Sequence, residues 1–152
     1  MPNIRTFSKY WLPLLVWMAV VFTASSDTKS FERSSRILAP LLHWLFPQVS
    51  DDTVHFIVLI ARKCAHLIEY AVLAMLLWRA VRKPVKNIFY PWNWHEARLV
   101  LLLVALYAAS DEFHQRFVTT RTAHATDVFI DTTGGAAGLL AIWLIGRWKK
   151  RW

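Results

Sequence analysis

The sequence predicts an all-α membrane protein: a four-transmembrane-helix bundle with a short interfacial or re-entrant segment after the first helix. Two observations support this fold class. Hydrophobic residues make up 56% of the 152 residues, and nine residues are Trp. The hydrophobic residues form long blocks with the charged residues between them, whereas soluble domains distribute their charge more evenly. A chain of this length forms one domain, so residues 1–152 are interpreted as a single membrane domain.

The first predicted span covers about residues 10–26. Its apolar block is short and follows two basic residues, which is also the pattern of a signal peptide. Trp11 and Trp17 favour a helix that is retained. The next apolar stretch, Ile37–Phe46, is too short to cross a membrane and contains Pro40, so we expect an interfacial helix or a re-entrant segment there.

Three further spans are predicted at about residues 56–80, 97–117 and 126–147. Ionisable residues interrupt the second span, and the third ends in the run Asp111–Gln115. The fourth has Asp131 near its start. Each of these spans therefore carries polar chemistry close to one of its ends.

The basic residues indicate the orientation. They gather near the N-terminus, between residues 79 and 98, and at the C-terminus. Because cytoplasmic segments of membrane proteins are enriched in Lys and Arg, both termini are predicted to lie in the cytoplasm. The formal net charge of +8 does not indicate nucleic-acid binding, because many of the basic residues flank apolar blocks. Cys64 is the only cysteine, which excludes an internal disulfide.

The polar residues of the last three spans are predicted to share one depth. A span needs about 20 residues at about 1.5 Å each, counted from its cytoplasmic anchor. The count places eight residues in the outer half of the membrane: Lys63, His66, Glu69, Asp111, Glu112, Gln115, Asp127 and Asp131. Isolated charges in hydrocarbon cost several kcal/mol, so their helix faces should point inward.

Helical spacing adds two expectations. Lys63, His66 and Tyr70 follow i, i+3, i+7 spacing and so share one face. Gly134 and Gly138 form a small-xxx-small pattern that lets neighbouring helices approach closely. Close packing there is expected to bring the second and third spans towards the acids of the fourth.

Three groups of residues carry a resemblance to a known family. They are Lys63-x-x-His66-x-x-Glu69-Tyr70, then Asp111-Glu112-x-x-Gln115-x-Phe117, then Arg121-x-x-x-x-x-Asp127 followed by Gly134 and Gly138. Their order and spacing resemble the VanZ-like family over roughly residues 10–145. Ser25-Ser26, which ends the first span, also resembles the family pattern. Asp131 is a departure, because the family often has Asn there.

The resemblance implies a multi-pass protein of the bacterial cytoplasmic (inner) membrane. The family takes its name from a protein linked to low-level resistance to teicoplanin, a glycopeptide that acts on cell-wall precursors. It implies no established reaction, so the hypotheses about function depend on the residues.

The first hypothesis is an outer-face pocket that engages an anionic lipid or a lipid-linked cell-envelope precursor. Cationic side chains attract the phosphate, and carboxylates, a phenol and an amide bind hydroxyls or amides. The ligand-binding residues predicted on this basis are Lys63, Tyr70, Gln115, Arg121, Asp127 and Asp131, and Arg116 is a further cation nearby.

The second hypothesis is a membrane enzyme, a phosphatase or transferase of lipid-linked phosphates. His66 is its general acid/base or nucleophile, and Glu69 or Asp111 orients the imidazole ring. Glu112 completes the catalytic set of His66, Glu69, Asp111 and Glu112.

One structural alternative and a third functional hypothesis, transport, stand beside these. The charged residues form an ion-pair network that fixes helix register, or they relay protons in a transporter. No cofactor is predicted. A divalent cation on the three outer aspartates and one glutamate is a weaker variant, because the spacing of Asp111, Glu112, Asp127 and Asp131 matches no metal motif.

Overall fold

The computed structural model describes residues 4–26, 30–83, 90–115 and 125–152. Within those ranges the chain forms five α-helices and no β-strand. The helices are α1 (Ile4–Ser26), α2 (Ser30–Leu45), α3 (Asp51–Arg82), α4 (Trp94–Gln115) and α5 (Ala125–Trp148). The prediction of an all-α chain is therefore confirmed.

Four of these helices coincide with the predicted spans. α1 and α5 contain segments that are long and apolar enough to cross a membrane, Phe7–Ser25 and Thr126–Trp148. α3 and α4 have sufficient length but carry ionisable residues along it. Length and composition thus support two spans, and the argument for four depends on where the ionisable side chains lie.

The apolar stretch Ile37–Phe46 belongs to a longer helix than the sequence indicated. α2 begins at Ser30 and contains Pro40. It packs against α3, and His43 lies 3.3 Å from Asp51 at the start of that helix. Its other side is apolar and exposed, with Ile37, Leu41 and Trp44.

α3 is the longest helix, with 32 residues and a length of about 48 Å. Its ends are well defined. The Ser50 side chain accepts a hydrogen bond from the Thr53 amide at 3.3 Å, and two aspartates follow in the first turn. At the other end Lys83 adopts a left-handed conformation, and its amide bonds to the Arg79 carbonyl.

Two glycines set the contact between α3 and α5. A Cβ atom built on Gly134 would lie 2.9 Å from the Leu67 Cα and closer still to the Leu67 carbonyl oxygen. Gly138 meets the backbone of Ala71 in the same way. Because both contacts advance along the two helices together, α3 and α5 run in the same direction with their backbones touching. The expected small-xxx-small contact is present.

The bundle is apolar on its outside. Its interior packs Tyr70, Leu73 and Val104 at the centre, while large apolar side chains such as Leu102 and Leu140 are about half exposed on the surface. Soluble domains seldom expose contiguous apolar surface on this scale. Lipid contact accounts for such a surface.

One end of the bundle gathers basic and aromatic side chains. Arg82 lies 2.7 Å from Glu96, and its guanidinium stacks over Trp78 at 4.8 Å. Arg79 lies over the Tyr10 ring at 5.4 Å. We call this the basic end, and it holds the start of α1 and α4 and the end of α3 and α5.

Candidate functional site

The opposite end of the bundle holds a cluster of buried polar side chains. Among the described residues, five polar or charged side chains are less than 8% exposed: Ser25, Asp111, Glu112, Gln115 and Asp131. They come from the end of α1, the end of α4 and the start of α5. We call them the buried polar cluster. Four of the five were predicted site residues.

Three members of the cluster form a closed hydrogen-bonded set. Ser25 Oγ donates to Asp111 Oδ2 at 2.5 Å. Gln115 Nε2 donates to the same serine oxygen at 2.5 Å and to Asp111 Oδ2 at 3.1 Å. The i, i+4 spacing of Asp111 and Gln115 places both on one face of α4. Each neutral group in this set therefore helps to hold a buried carboxylate.

Ser25 is a site residue that the sequence reasoning missed. The only signal was the resemblance of Ser25-Ser26 to the family pattern, which gave no role to the hydroxyl. Its contact with Asp111 spans 86 residues of sequence. Spacing along a single helix gives no information about such a contact.

His66 pairs with Asp131. The Nδ1 atom of His66 lies 3.5 Å from Asp131 Oδ1, and the two side chains are 26% and 7% exposed. The sequence had suggested Glu69 or Asp111 as the residue that orients this ring. Glu69 and Asp111 are close enough to interact electrostatically with His66, but Asp131 makes the ion-pair contact.

Lys63 and Asp127 form the rim of the site. Lys63 Nζ lies 3.5 Å from Asp127 Oδ1, and both side chains are substantially exposed. The pair lies about one helical turn from His66 and Asp131 on the same two helices. The tight glycine contacts of α5 with α3 explain this register, because they hold the axes close enough for both pairs to form.

Tyr70 lies beneath the cluster with its side chain fully buried. Its hydroxyl lies beside Asp131, within reach of a hydrogen bond to that carboxylate, and near Asp111. The second oxygen of Asp111, Oδ1, is buried without a described partner. Buried polar groups are rarely left without a partner, so this oxygen marks the place where a ligand or water would complete the site.

Glu69 belongs to the site through its position on α3. Its carboxyl is near His66 and Asp131, and its backbone carbonyl accepts a hydrogen bond from Trp17 Nε1 at 3.0 Å. Arg121 and Arg116, which the sequence also assigned to the site, lie outside the described residues.

The arrangement defines what the site can do chemically. Buried carboxylates in a water-poor environment are strong acceptors for hydroxyl, amide and ammonium groups. A histidine held by a carboxylate is a typical general acid or base. The described residues include no group of three or more His, Cys, Asp or Glu side chains placed to hold a metal ion.

A protein-family model matches almost all of this chain. The model of VanZ/LLP1 matches residues 10–146. The chain belongs to the VanZ/LLP1 family. The match includes every residue of the buried polar cluster and the rim, so the resemblance based on those residues is confirmed. VanZ/LLP1 proteins are membrane-associated. No curated protein and no solved structure matches the chain.

Proposed function

We propose that this VanZ/LLP1 protein is a four-span protein of the bacterial cytoplasmic membrane. In this proposal α1, α3, α4 and α5 cross the membrane, both termini are cytoplasmic, and the buried polar cluster lies at the outer face. The cluster binds the headgroup of an anionic lipid or a lipid-linked cell-envelope precursor.

The burial of the acids supports spans for α3 and α4. Asp111 and Glu112 are 1% and 7% exposed, so these charges of α4 face protein and not lipid. Charges in membrane helices are tolerated where they face the bundle interior. Away from the rim, α3 and α4 expose large apolar side chains such as Ile68 and Leu102, as a lipid-facing surface requires.

The two chemically different ends support the orientation. The basic end combines Arg79 and Arg82 with Tyr10 and Trp78. Arg and Lys beside interfacial aromatic rings are typical of the cytoplasmic face. The exposed apolar side of α2 then lies along the outer interface, next to the start of α3.

The observation that carries the binding proposal is the burial of three carboxylates, an amide and a hydroxyl at one end of the bundle. Replacing such a network by apolar residues would stabilise a purely structural bundle equally well or better. The buried Oδ1 atom of Asp111, which has no partner among the described residues, points to a missing polar group. Sugar hydroxyls or peptide amides of a headgroup supply such groups.

Lys63 is the reason to expect a negatively charged ligand. It is more than half exposed at the rim, and its Nζ is 3.5 Å from Asp127. A Lys ammonium beside a polar cavity is a common partner of phosphate. Arg121 is the second cation that we assign to the phosphate, on the basis of the sequence pattern.

A second candidate function rests on the pair of His66 and Asp131. Their 3.5 Å contact resembles a general base and its orienting carboxylate. In this alternative His66 takes a proton from water or a hydroxyl, whose oxygen attacks the phosphorus of a lipid-linked phosphate. The P–O bond to the leaving group breaks, and the leaving oxygen takes up a proton. The enzyme is then a phosphatase or a transferase.

One experiment separates these functions. The purified protein is incubated with undecaprenyl phosphate or phosphatidylglycerol, and both bound lipid and released phosphate are measured. We expect saturable binding that falls about tenfold or more in Asp111→Asn and Lys63→Gln, because each variant removes a charged group. The matched controls are Asp52→Asn and Lys9→Gln, which are exposed and outside the cluster.

The outcomes differ for each hypothesis. Phosphate release that disappears in His66→Gln would establish the enzyme. Variants that lower only thermal stability, with lipid binding unchanged, would favour the structural ion network. A link to teicoplanin is tested by susceptibility: expression of the chain should raise the inhibitory concentration, and Asp111→Asn should abolish the increase.

A further inference from the structure

A cleft of about 560 Å³ lies at the basic end, far from the buried polar cluster. It opens between the segment that precedes α4 and the end of α5. Its lining consists of Pro91, Trp92, Trp94, Trp143, Arg147 and Trp152. The residues that carry the family resemblance and those of the proposed outer site lie elsewhere.

The C-terminal turn builds one wall. Lys150 adopts a left-handed conformation with φ of 49°, and the Arg151 amide bonds to the Gly146 carbonyl at 2.8 Å. This turn places the Trp152 ring on Gly146, where any Cβ atom would collide with it. Trp152 Nε1 also donates to the Trp143 carbonyl at 3.1 Å. The last tryptophan is thus held in place.

Trp92 forms the facing wall. Its ring stacks on Trp78 with centroids 4.5 Å apart and meets the edge of Trp94 at 5.5 Å. The Trp152 ring lies 5.8 Å away. Trp92 Nε1 is buried and has no acceptor among the described residues. A bound group that offers an oxygen would satisfy this donor.

The charge of the cleft selects an anion. The Arg147 guanidinium lies 5.3 Å over the Trp143 ring, with its side chain exposed. Lys149, Lys150 and Arg151 follow directly. The described residues that line the cleft include no acid, and Glu96 on α4 is engaged by Arg82 at 2.7 Å. Guanidinium groups bind phosphate with two parallel hydrogen bonds.

An exposed apolar stripe runs beside the cleft. Leu140, Leu144 and Trp148 follow i, i+4, i+8 spacing on α5 and are all more than half exposed. Two residues of the stripe, Leu144 and Trp148, directly follow the cleft residues Trp143 and Arg147 in sequence. A ligand with both a phosphate and a hydrocarbon chain would cover the cation and the stripe together.

We propose that this cleft is a second lipid site, which binds the phosphate of an anionic phospholipid of the cytoplasmic leaflet. Arg147 contacts the phosphate, the tryptophan walls contact the glycerol region, and an acyl chain lies along α5. The inference rests on the membrane orientation proposed above. It does not depend on the ligand of the buried polar cluster.

The test uses the full chain in phosphatidylcholine nanodiscs that contain increasing fractions of phosphatidylglycerol. Native mass spectrometry then counts the phosphatidylglycerol molecules retained on the released protein. We expect Arg147→Gln to weaken retention about tenfold, because a charge-assisted phosphate contact is lost. Lys149→Gln removes the same charge two residues away, outside the cleft, and is expected to change retention less than about threefold.

Further arms identify the source of the phosphate and the role of the walls. Inorganic phosphate and glycerol phosphate should not displace the lipid, and equal competition by either would overturn the lipid assignment. Trp94→Leu keeps an apolar side chain but removes an exposed wall of the cleft, and it should weaken retention several-fold. Unchanged retention in that variant would exclude the cleft as the site.

Two results separate this site from the outer one. Arg147→Gln should lower phosphatidylglycerol retention by the same factor in the wild-type and the Asp111→Asn background, and it should leave undecaprenyl phosphate binding unchanged. Equal losses in Arg147→Gln and Lys149→Gln would show diffuse surface attraction and would overturn the proposal.

Discussion

The hydroxyl of Ser25 lies 2.5 Å from the carboxylate of Asp111 and joins the last turn of α1 to the last turn of α4. The same oxygen accepts a hydrogen bond from Gln115 at 2.5 Å. One small side chain thus uses both its donor and its acceptor capacity inside a buried cluster. Its loss would leave two buried polar groups short of a partner.

Ser25→Ala is therefore expected to destabilise the protein by about 1–3 kcal/mol, the usual penalty for unsatisfied buried groups. Thermal or denaturant unfolding in detergent measures the change. Ser110→Ala is the matched control, because its hydroxyl is exposed and donates to the Tyr107 carbonyl on its own helix. Equal effects of the two variants would show that the buried contact with Asp111 adds nothing.

The sequence predicted where the members of the cluster lie along their helices. It predicted less well which side chains pair with each other. Counting from the basic anchors placed Asp111 and Asp131 at one level, because the rise per residue of a helix is fixed. The partners depend on how each helix rotates about its axis, which packing decides. That is why the pair of His66 with Asp131 and the role of Ser25 appeared only in the structure.

The boundaries of α2 and α3 show a second limit. Hydropathy indicated only Ile37–Phe46 and a span starting near residue 56, because it detects apolar stretches alone. The helices begin at Ser30 and Asp51, where polar first turns continue the same backbone hydrogen bonding. An N-cap such as Ser50 marks the true start of a helix.

Gly134→Ala changes the stability through two opposing effects, a gain in helix propensity and a steric collision. Intrinsic helix propensity favours Ala over Gly by about 1 kcal/mol. In the structure the added methyl group collides with the backbone of Leu67, which cannot move as a side chain does. We expect net destabilisation of about 1–3 kcal/mol from overpacking, measured by unfolding in detergent.

The control for this variant is Ala137→Val, which adds volume to an exposed position on the same helix. It should change stability by less than about 0.5 kcal/mol. Stabilisation by Gly134→Ala would contradict the close contact of α3 and α5. Binding by the polar cluster should weaken with the glycine variant, because both ion pairs span these helices.

Trp17→Phe tests the contact of α1 with α3. Trp17 Nε1 donates to the Glu69 carbonyl at 3.0 Å, and Phe keeps a ring there while removing that donor. The expected loss is about 0.5–1.5 kcal/mol in the free energy of unfolding, the net value of one hydrogen bond. Trp44→Phe, at an exposed position on α2, should leave the stability unchanged.

Asp131→Asn separates folding from chemistry at the site. The amide oxygen can still accept a hydrogen bond from His66. We expect the melting temperature to change by no more than a few degrees. If His66 acts as a base, the rate of phosphate release should fall at least tenfold, because the orienting carboxylate is lost. A clearly lower melting temperature with an unchanged rate of phosphate release would assign Asp131 to structure.

The orientation is tested through the single native cysteine. In a Cys64→Ser background, Asp52→Cys places a thiol at the start of α3 and Lys149→Cys places one after α5, both at exposed positions. In intact cells a membrane-impermeant maleimide should label the cysteine at residue 52 and not that at 149, because the basic end faces the cytoplasm. Permeabilised cells should label both, which controls for reactivity. The reverse pattern would place the buried polar cluster at the cytoplasmic face, and its ligand would then come from the inner leaflet.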